Sequence, residues 1–342
     1  DEAGREAVES AASILPAGRA KIARLSGYKD ASDALQNGDC EAIRRAIWDA
    51  KPYTPDGIIE GKDLLELVTQ PTKDYDHLYP FEGLNKMVQG IRYGELTTLT
   101  AGTGSGKSSL VRALAVDLLN KGERVGYLAL EESNKRSALG LMSNANGKAY
   151  HIGEHDTDEL TDAFNNTIAN WHLYLFDGFG SFDPDVIYNR IEYLASGLEC
   201  RIIFLDHLSI LLSGLDGDER RMIDTTMTRL RSLVERTGIT LFLVSHLRRS
   251  SSDNNSHEEG GRVSLGQLRG SHSIAQLSDS VIALERDQQG EADANLTTLR
   301  VLKNRFSGEV GVATELSYDL STCQFYENNE IKDPLFNPST DF

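Results

Sequence analysis

Ala101-Gly102-Thr103-Gly104-Ser105-Gly106-Lys107-Ser108 is the stretch on which the reading of this chain turns. Glu95-Leu-Thr-Thr-Leu-Thr100 before it reads as a short buried strand, and Ser109-Leu-Val-Arg-Ala-Leu-Ala-Val-Asp-Leu118 after it has helical spacing. A strand, a glycine-rich loop and a helix with Gly-Lys-Ser at the junction make a phosphate-binding loop. Glycines let successive backbone N–H groups turn toward phosphate oxygens, and the positive end of the helix dipole adds to them. Gly102, Thr103, Gly104, Ser105, Gly106, Lys107, Ser108 and Ser109 are therefore the expected nucleotide cradle. Lys107 would reach the β- and γ-phosphates, and Ser108 would offer its hydroxyl to Mg²⁺. Ala101 stands where such loops usually begin with glycine; it is small enough to keep the same steric permission. The pattern implies a site for a nucleoside triphosphate.

Composition sets the frame. The 342 residues can hold one large domain, or a large and a small one. Hydrophobic content of 39% and charged content of 25% are ordinary for a soluble globular protein. No apolar run approaches membrane-spanning length and the first residues lack a signal-peptide character, so no membrane partner is expected. With Asp1 in place of an initiating Met, the chain reads as a fragment of a longer protein. Cys40, Cys200 and Cys323 lie far apart without Cys-x-x-Cys spacing, which argues against a zinc site and fits a reducing compartment. The net charge of −17 argues against binding nucleic acid over the whole surface. A local basic channel stays open to it, because screening confines each charge to roughly 8 Å.

Along the chain, residues 1 to about 50 show helical patterns at Arg5–Ile14 and Cys40–Trp48 around a short strand at Ala20–Leu25. Lys51-Pro-Tyr-Thr-Pro-Asp-Gly57 is a breaker and a domain boundary. Asp63-Leu-Leu-Glu-Leu-Val68 reads as a short amphipathic helix standing apart, or as an ordinary core helix. From Leu84 onward strands and helices alternate. Strands are expected at 95–101, 124–130, 172–177, 201–206 and 240–245, several of them continuous apolar runs suited to a parallel sheet covered on both faces. Strands at 280–285, 297–303 and 312–318 suggest an antiparallel edge. A polar loop at 248–262 reads as mobile, and residues 328–342 read as a disordered tail.

Further site candidates sit at strand ends, where open α/β sheets place ligands. Asp206 closes the apolar strand Ile202-Ile-Phe-Leu-Asp206 and is suited to hold Mg²⁺ through water. Glu131 and Glu132 follow Tyr127-Leu-Ala-Leu, and either carboxylate could polarise an attacking water; Glu131 is nearer the strand end. His246 ends another strand and reads either as a structural histidine or as a γ-phosphate sensor. Lys303 and Arg305 are surface charges or a finger supplied to a neighbouring subunit. Arg248, Arg249 and Arg262, with Gln267-Leu-Arg269-Gly270, form a solvated loop or a track for single-stranded phosphates.

Taken together, the phosphate loop, Leu130-Glu-Glu-Ser133, Leu205-Asp-His207, Val244-Ser-His-Leu247, Leu268-Arg-Gly-Ser271 and Leu302-Lys-Asn-Arg-Phe306 resemble replicative ring helicases in identity and order. The chain looks most like the bifunctional primase-helicases of short-tailed bacteriophages, relatives of the DnaB-type helicases with a RecA-like core. The likeness extends through Asp218–Asp224, Gln276–Asp279 and Ile282–Arg286 and covers nearly the whole chain.

The resemblance implies an α/β fold: a RecA-like P-loop NTPase core with a mostly parallel central sheet, preceded by a linker helix and a truncated TOPRIM remnant. It implies residues 1–50 as the remnant, 51–80 as a linker with a subunit-docking helix, 81–327 as the helicase domain and 328–342 as the tail. Glu131 becomes the catalytic base, Asp206 and Ser108 the Mg²⁺ residues, His246 the γ-phosphate sensor and Gln276 the coupling glutamine. Arg305 becomes the finger with Lys303 as helper, and Arg286 and Tyr318 sandwich the base. Arg248, Arg269 and Gly270 would line the DNA channel, with Arg249 beside them. Implied partners are ATP or dTTP with Mg²⁺, single-stranded DNA, further copies in a hexameric ring, and a replicative polymerase contacted by the tail. The setting would be the cytoplasm of an infected bacterial host. No primase activity is expected. The rival readings are a RecA-like recombinase and an NTP-gated ring switch that does not translocate.

One departure from the resemblance concerns the loop after His246, which is rich in Ser and Asn where relatives tend to carry lysines. Fewer cations should give DNA binding a shallower salt dependence, since each phosphate contact contributes a slope of roughly −0.7 for single strands.

Overall fold

The structure is a computed structural model that describes residues 2–16, 18–54, 58–70, 74–178, 180, 182–208, 210, 219–247, 260–268, 272–288, 290 and 295–328. It divides into two compact units, residues 1–72 and 73–342.

In the first unit, helices α1 (Glu2–Ser13), α2 (Ala31–Gln36) and α3 (Cys40–Trp48) accompany a two-stranded antiparallel ribbon of β1 (Lys21–Ile22) and β2 (Lys51–Pro52). Asp30 and Asp39 start α2 and α3 by accepting the N–H groups of Asp33 and Ala42, the usual use of a short acid at a helix N-terminus. The strand expected at Ala20–Leu25 is thus two residues long, and Lys51–Pro52, expected to break the chain, completes its pairing. The helix expected at 63–68 forms as a tight turn, Gly61–Leu64, continuing into α4 (Leu65–Thr69). Among the described residues here, the buried hydrophobics are the alanines 12, 34 and 46, while Trp48 is 84% exposed and Val68 74%.

The second unit is a nine-stranded sheet in the order β11-β10-β9-β8-β3-β7-β6-β4-β5. Strands β3 (Leu96–Ala101), β4 (Val125–Ala129), β5 (Leu173–Leu175), β6 (Ile202–Asp206), β7 (Thr240–His246) and β8 (Ser280–Glu285) run parallel. Strands β9 (Leu296–Asn304), β10 (Gly311–Asp319) and β11 (Gln324–Asn328) extend it antiparallel beyond β8. The last strand reaches Asn328, the residue with which the tail is expected to begin; residues 329–342 lie outside the described residues.

The apolar strands are covered on both faces. Tyr127, Phe204 and Phe242 face α6 (Lys107–Asn120), where Leu110, Leu114 and Leu118 are buried; the rings of Phe204 and Phe242 stack with centroids 4.8 Å apart. Leu128, Ile203 and Leu241 face the other way, into a core with Ile191 of α9 (Pro184–Gly197) and Leu230 of α10 (Glu219–Thr237). Between β4 and β5 the chain forms α7 (Asn134–Asn146) and α8 (Thr157–Asn165). Near the chain's start in this unit, Glu327 of β11 accepts the N–H groups of Glu82 and Gly83 at 2.6 and 2.7 Å, binding the first turn of α5 (Glu82–Val88). Among the described residues, no helix is long and apolar enough to cross a membrane.

Candidate active site

Strand β3 and helix α6 hold the phosphate loop between them. Gly104 and Gly106 have φ of 75° and 94°, a backbone region that L side chains rarely adopt, so glycine is required at these two turns. Lys107 opens α6 and is almost fully buried; its Nζ donates to the carbonyls of Ala101 and Gly102 at 3.1 and 2.9 Å. Burial pulls its ammonium below the usual lysine range, against the opposite pull of Asp206 and Glu131.

Asp206 ends β6, one strand beyond β7, and its Oδ2 lies 3.5 Å from Ser108 Oγ. Burial, reinforced by the charges of Glu131 and Glu132, pushes its carboxyl up to about 6 in spite of Lys107 and Arg112. A buried carboxylate beside a hydroxyl is an oxygen donor set of the kind Mg²⁺ takes, completing its shell with water and phosphate. These two residues fit that ion.

The two glutamates after β4 differ in surroundings. Glu132 is held by Arg112 of α6, whose Nη2 donates to it at 2.6 Å, and by the Ser137 hydroxyl at 2.8 Å. Glu131 is half exposed and meets His207, whose Nε2 lies 2.6 Å from its Oε1. The His207 ring in turn contacts His246 edge-on, with centroids 4.1 Å apart. Lys107, Ser108, Glu131, Asp206 and His246 therefore meet at the C-terminal edge of the parallel strands.

At the same edge, Tyr318 near the end of β10 packs against Phe325 of β11, ring centroids 4.8 Å apart, with Ser109 beside its hydroxyl. Phe325 approaches the Gly106 backbone, and Gln288 donates to the Thr103 carbonyl at 2.6 Å. Arg286, just past β8, donates to Asn295 at 3.3 Å. His207, Arg112, Phe325 and Gln288 went unread in the sequence. Only Leu205-Asp-His207 carried a usable signal, the histidine directly following the strand-end acid.

Gln276, Lys303 and Arg305 lie elsewhere. Thr97, near the start of β3, pairs with Ser280, which pairs with Asn304, so Arg305 lies level with the N-terminal end of β3. The phosphate loop begins at the other end, about 16 Å away at 3.3 Å per residue. Arg305 is bound there to Asp279 Oδ1 at 2.9 Å and to the Gln276 carbonyl at 3.0 Å. Lys303 Nζ donates to the carbonyls of Ala275, Gln276 and Ser278, capping α11 (His272–Leu277), on which the Gln276 side chain is exposed. The candidate residues thus fall into two groups at opposite edges of the sheet, with Lys303 and Arg305 apart from their own chain's phosphate loop. Arg248, Arg249, Arg269 and Gly270 lie outside the described residues.

Comparison with known proteins adds to this geometry. A family model described as the DnaB-like helicase C-terminal domain matches residues 79–327. The DNA helicase/primase of Enterobacteria phage T3 is 37% identical over 336 residues, covering 94% of this chain and 58% of that protein. A probable plasmid replicative DNA helicase of Chlamydia muridarum is 26% identical over 68% of this chain and 50% of its own length. The chain thus spans about half the length of these relatives. Among solved structures, a DnaB-like replicative helicase, described together with its interactions with primase, superposes with a TM-score of 0.65 at 18% identity. That match covers 86% of this chain and 73% of the other, and it is a likeness of fold.

Proposed function

The chain belongs to the DnaB-like helicase family, and on that premise we propose that it is the nucleoside-triphosphate-driven motor of a replicative DNA helicase. The observation that carries this reading is the meeting of the phosphate loop, Asp206, Glu131 and His246 at one edge of the sheet, with Arg305 at the other.

The triphosphate binds on the loop N–H groups, and Lys107 exchanges the carbonyls of Ala101 and Gly102 for its β- and γ-oxygens. Ser108 and Asp206 would hold Mg²⁺, which would supply positive charge against the phosphate oxygens. Glu131 takes a proton from the attacking water, and His246 contacts the γ-phosphate. Tyr318 and Arg286 take the base between them; stacking tolerates any base, which suits ATP and dTTP alike. Arg305 cannot serve its own loop across about 16 Å of strand, so it acts on a neighbouring copy, with Lys303 fixing the end of α11 beneath it.

That arrangement requires adjoining copies, and the family reading makes them a hexameric ring. The linker, residues 51–80, would contribute the docking contact between copies; Leu65 and Val68 of α4 are exposed apolar residues suited to it. Gln276, whose carbonyl Arg305 binds, would pass the nucleotide state to the loops holding Arg248, Arg249, Arg269 and Gly270, which track single-stranded DNA. Residues 1–50 would be the end of a TOPRIM primase domain without primase activity, 81–327 the helicase domain, and 328–342 a tail that contacts the replicative polymerase in the cytoplasm of the infected host.

The test is nucleotide hydrolysis with and without single-stranded DNA, run on ATP and dTTP. Stimulation by DNA supports a motor coupled to its channel. Flat turnover would overturn the coupling and favour a ring switch.

A further inference from the structure

Three side chains from three strand ends converge beside the phosphate loop: Glu131 after β4, His207 after β6 and His246 at the end of β7. One donor atom of each lies within 4.8 Å of the other two. The closest pair is His207 Nε2 and Glu131 Oε1 at 2.6 Å, and the two imidazole rings touch edge-on. Strands β6 and β7 are directly paired as far as Leu205 and Leu243, which brings their ends, and with them the two histidines, side by side.

Two imidazoles and one carboxylate form a donor set for borderline metals such as Zn²⁺ and Co²⁺, whereas Mg²⁺ favours oxygen. Bonds of about 2.0–2.1 Å at a tetrahedral angle place donors about 3.3 Å apart. Glu131 would have to withdraw by about 0.7 Å and the widest pair close by at most about 1.5 Å. The Glu131 side chain is 51% exposed and has that freedom, and its exposed side leaves a fourth position for water.

We propose that Glu131, His207 and His246 form a binding site for a Zn²⁺-class transition-metal ion, distinct from the Ser108–Asp206 oxygen pair. Binding itself is independent of the nucleotide reading. Its consequence rests on that reading: an ion on Glu131 occupies the carboxylate that activates water, so hydrolysis stops while triphosphate binding persists.

The experiment titrates the full chain with Co²⁺ in the absence of nucleotide, on a Cys40→Ser background that removes the exposed thiol. The visible bands of tetrahedral Co²⁺ are followed and then displaced with Zn²⁺. One ion per chain is expected, with affinity lowered at least tenfold in each of His207→Ala, His246→Ala and Glu131→Gln. Glu131→Gln changes a half-exposed residue, so it reports on the site even if a histidine variant fails to fold. No saturable band, or a band unchanged in all three variants, overturns the site. Hydrolysis is measured in parallel with excess Mg²⁺ and added Zn²⁺. Binding without inhibition would uphold the metal site and overturn Glu131 as the base.

Discussion

Arg112 Nη2 donates to Glu132 Oε2 at 2.6 Å, whereas the adjacent Glu131 meets His207 Nε2, so the two neighbouring glutamates have different partners. Arg112 and Glu132 are both largely buried, so Glu132 holds a guanidinium beneath α7 while Glu131 is left to the site. Removing one member of such a pair leaves the other buried and uncompensated, at a cost on the order of 3 kcal/mol. Glu132→Gln should therefore lower the melting temperature. Glu131→Gln should melt like the wild type, bind triphosphate and lose turnover by roughly 10²–10⁴-fold. Thermal scans and steady-state hydrolysis on both variants decide it; an inactive Glu132→Gln that melts normally would exchange the assignments.

Gly140 gives that guanidinium its room. A Cβ at this helical position would collide with Arg112 Nε and Cζ. Alanine is the better helix former by about 1 kcal/mol, but overpacking a buried site costs about 1–3 kcal/mol. Gly140→Ala is expected to destabilise, and less so in a Glu132→Gln background, where Arg112 is already loosened. Additive losses in the double variant would break the link between the three residues.

Asp206 predicts a pH dependence. Its folded carboxyl, near 6, lies above the unfolded value of about 3.9. The fold thus favours the neutral acid; that stability is complete below about pH 4 and is lost as pH rises through 6. Asp206→Asn should stabilise the metal-free protein at pH 8 by at most about 2–3 kcal/mol, at about 1.4 kcal/mol per unit, while removing hydrolysis. The gain should shrink at pH 5. Melting temperatures in EDTA at the two pH values check this, and a gain that grew on acidification would reverse the sign.

Phe325 is expected to support the nucleotide base. Its ring packs at a tilt against Tyr318 and approaches Gly106 at the start of α6. Phe325→Leu keeps an apolar contact with Phe81 but removes the π-face. Stacking is worth roughly 1–3 kcal/mol per base and is tolerant of base identity. KM should rise about tenfold or somewhat more for ATP and dTTP alike; a rise confined to one nucleotide would assign Phe325 to base selection instead.

How far the sequence could be read depends on whether a residue's partner was near it in the chain. The continuous runs Ile202–Leu205 and Leu241–Val244 announce strands buried on both faces, and they are. The loop announces itself through Gly104 and Gly106, whose backbone only glycine supplies cheaply. Strand β11 was missed because its evidence is distant: Gln324 and Phe325 bond and pack against Asn144 and Phe81. The separation of Arg305 from Lys107 was equally illegible, since it depends on β9 running antiparallel to β8. Nothing local marks Arg112, because its partner Glu132 lies twenty residues on in the chain.

That separation makes the sharpest prediction about assembly. Arg305 is seated on Asp279, which also accepts the N–H of Leu96 at the start of β3 at 2.8 Å. Arg305 is thus tied to one end of the strand whose other end carries its own chain's phosphate loop. If it serves a neighbour, Arg305→Ala should bind triphosphate normally and lose turnover, typically 10³–10⁵-fold for such an arginine. Glu131→Gln should be inactive for the opposite reason, a sound finger beside a dead base. Mixing the two inactive proteins creates interfaces in which the wild-type Glu131 of one copy meets the wild-type Arg305 of the next. Partial hydrolysis should return, and it should vary with the mixing ratio as the share of such interfaces does. Mixtures that stay inactive while still assembling would place Arg305 in a structural role, anchoring Asp279 and β3 within its own chain.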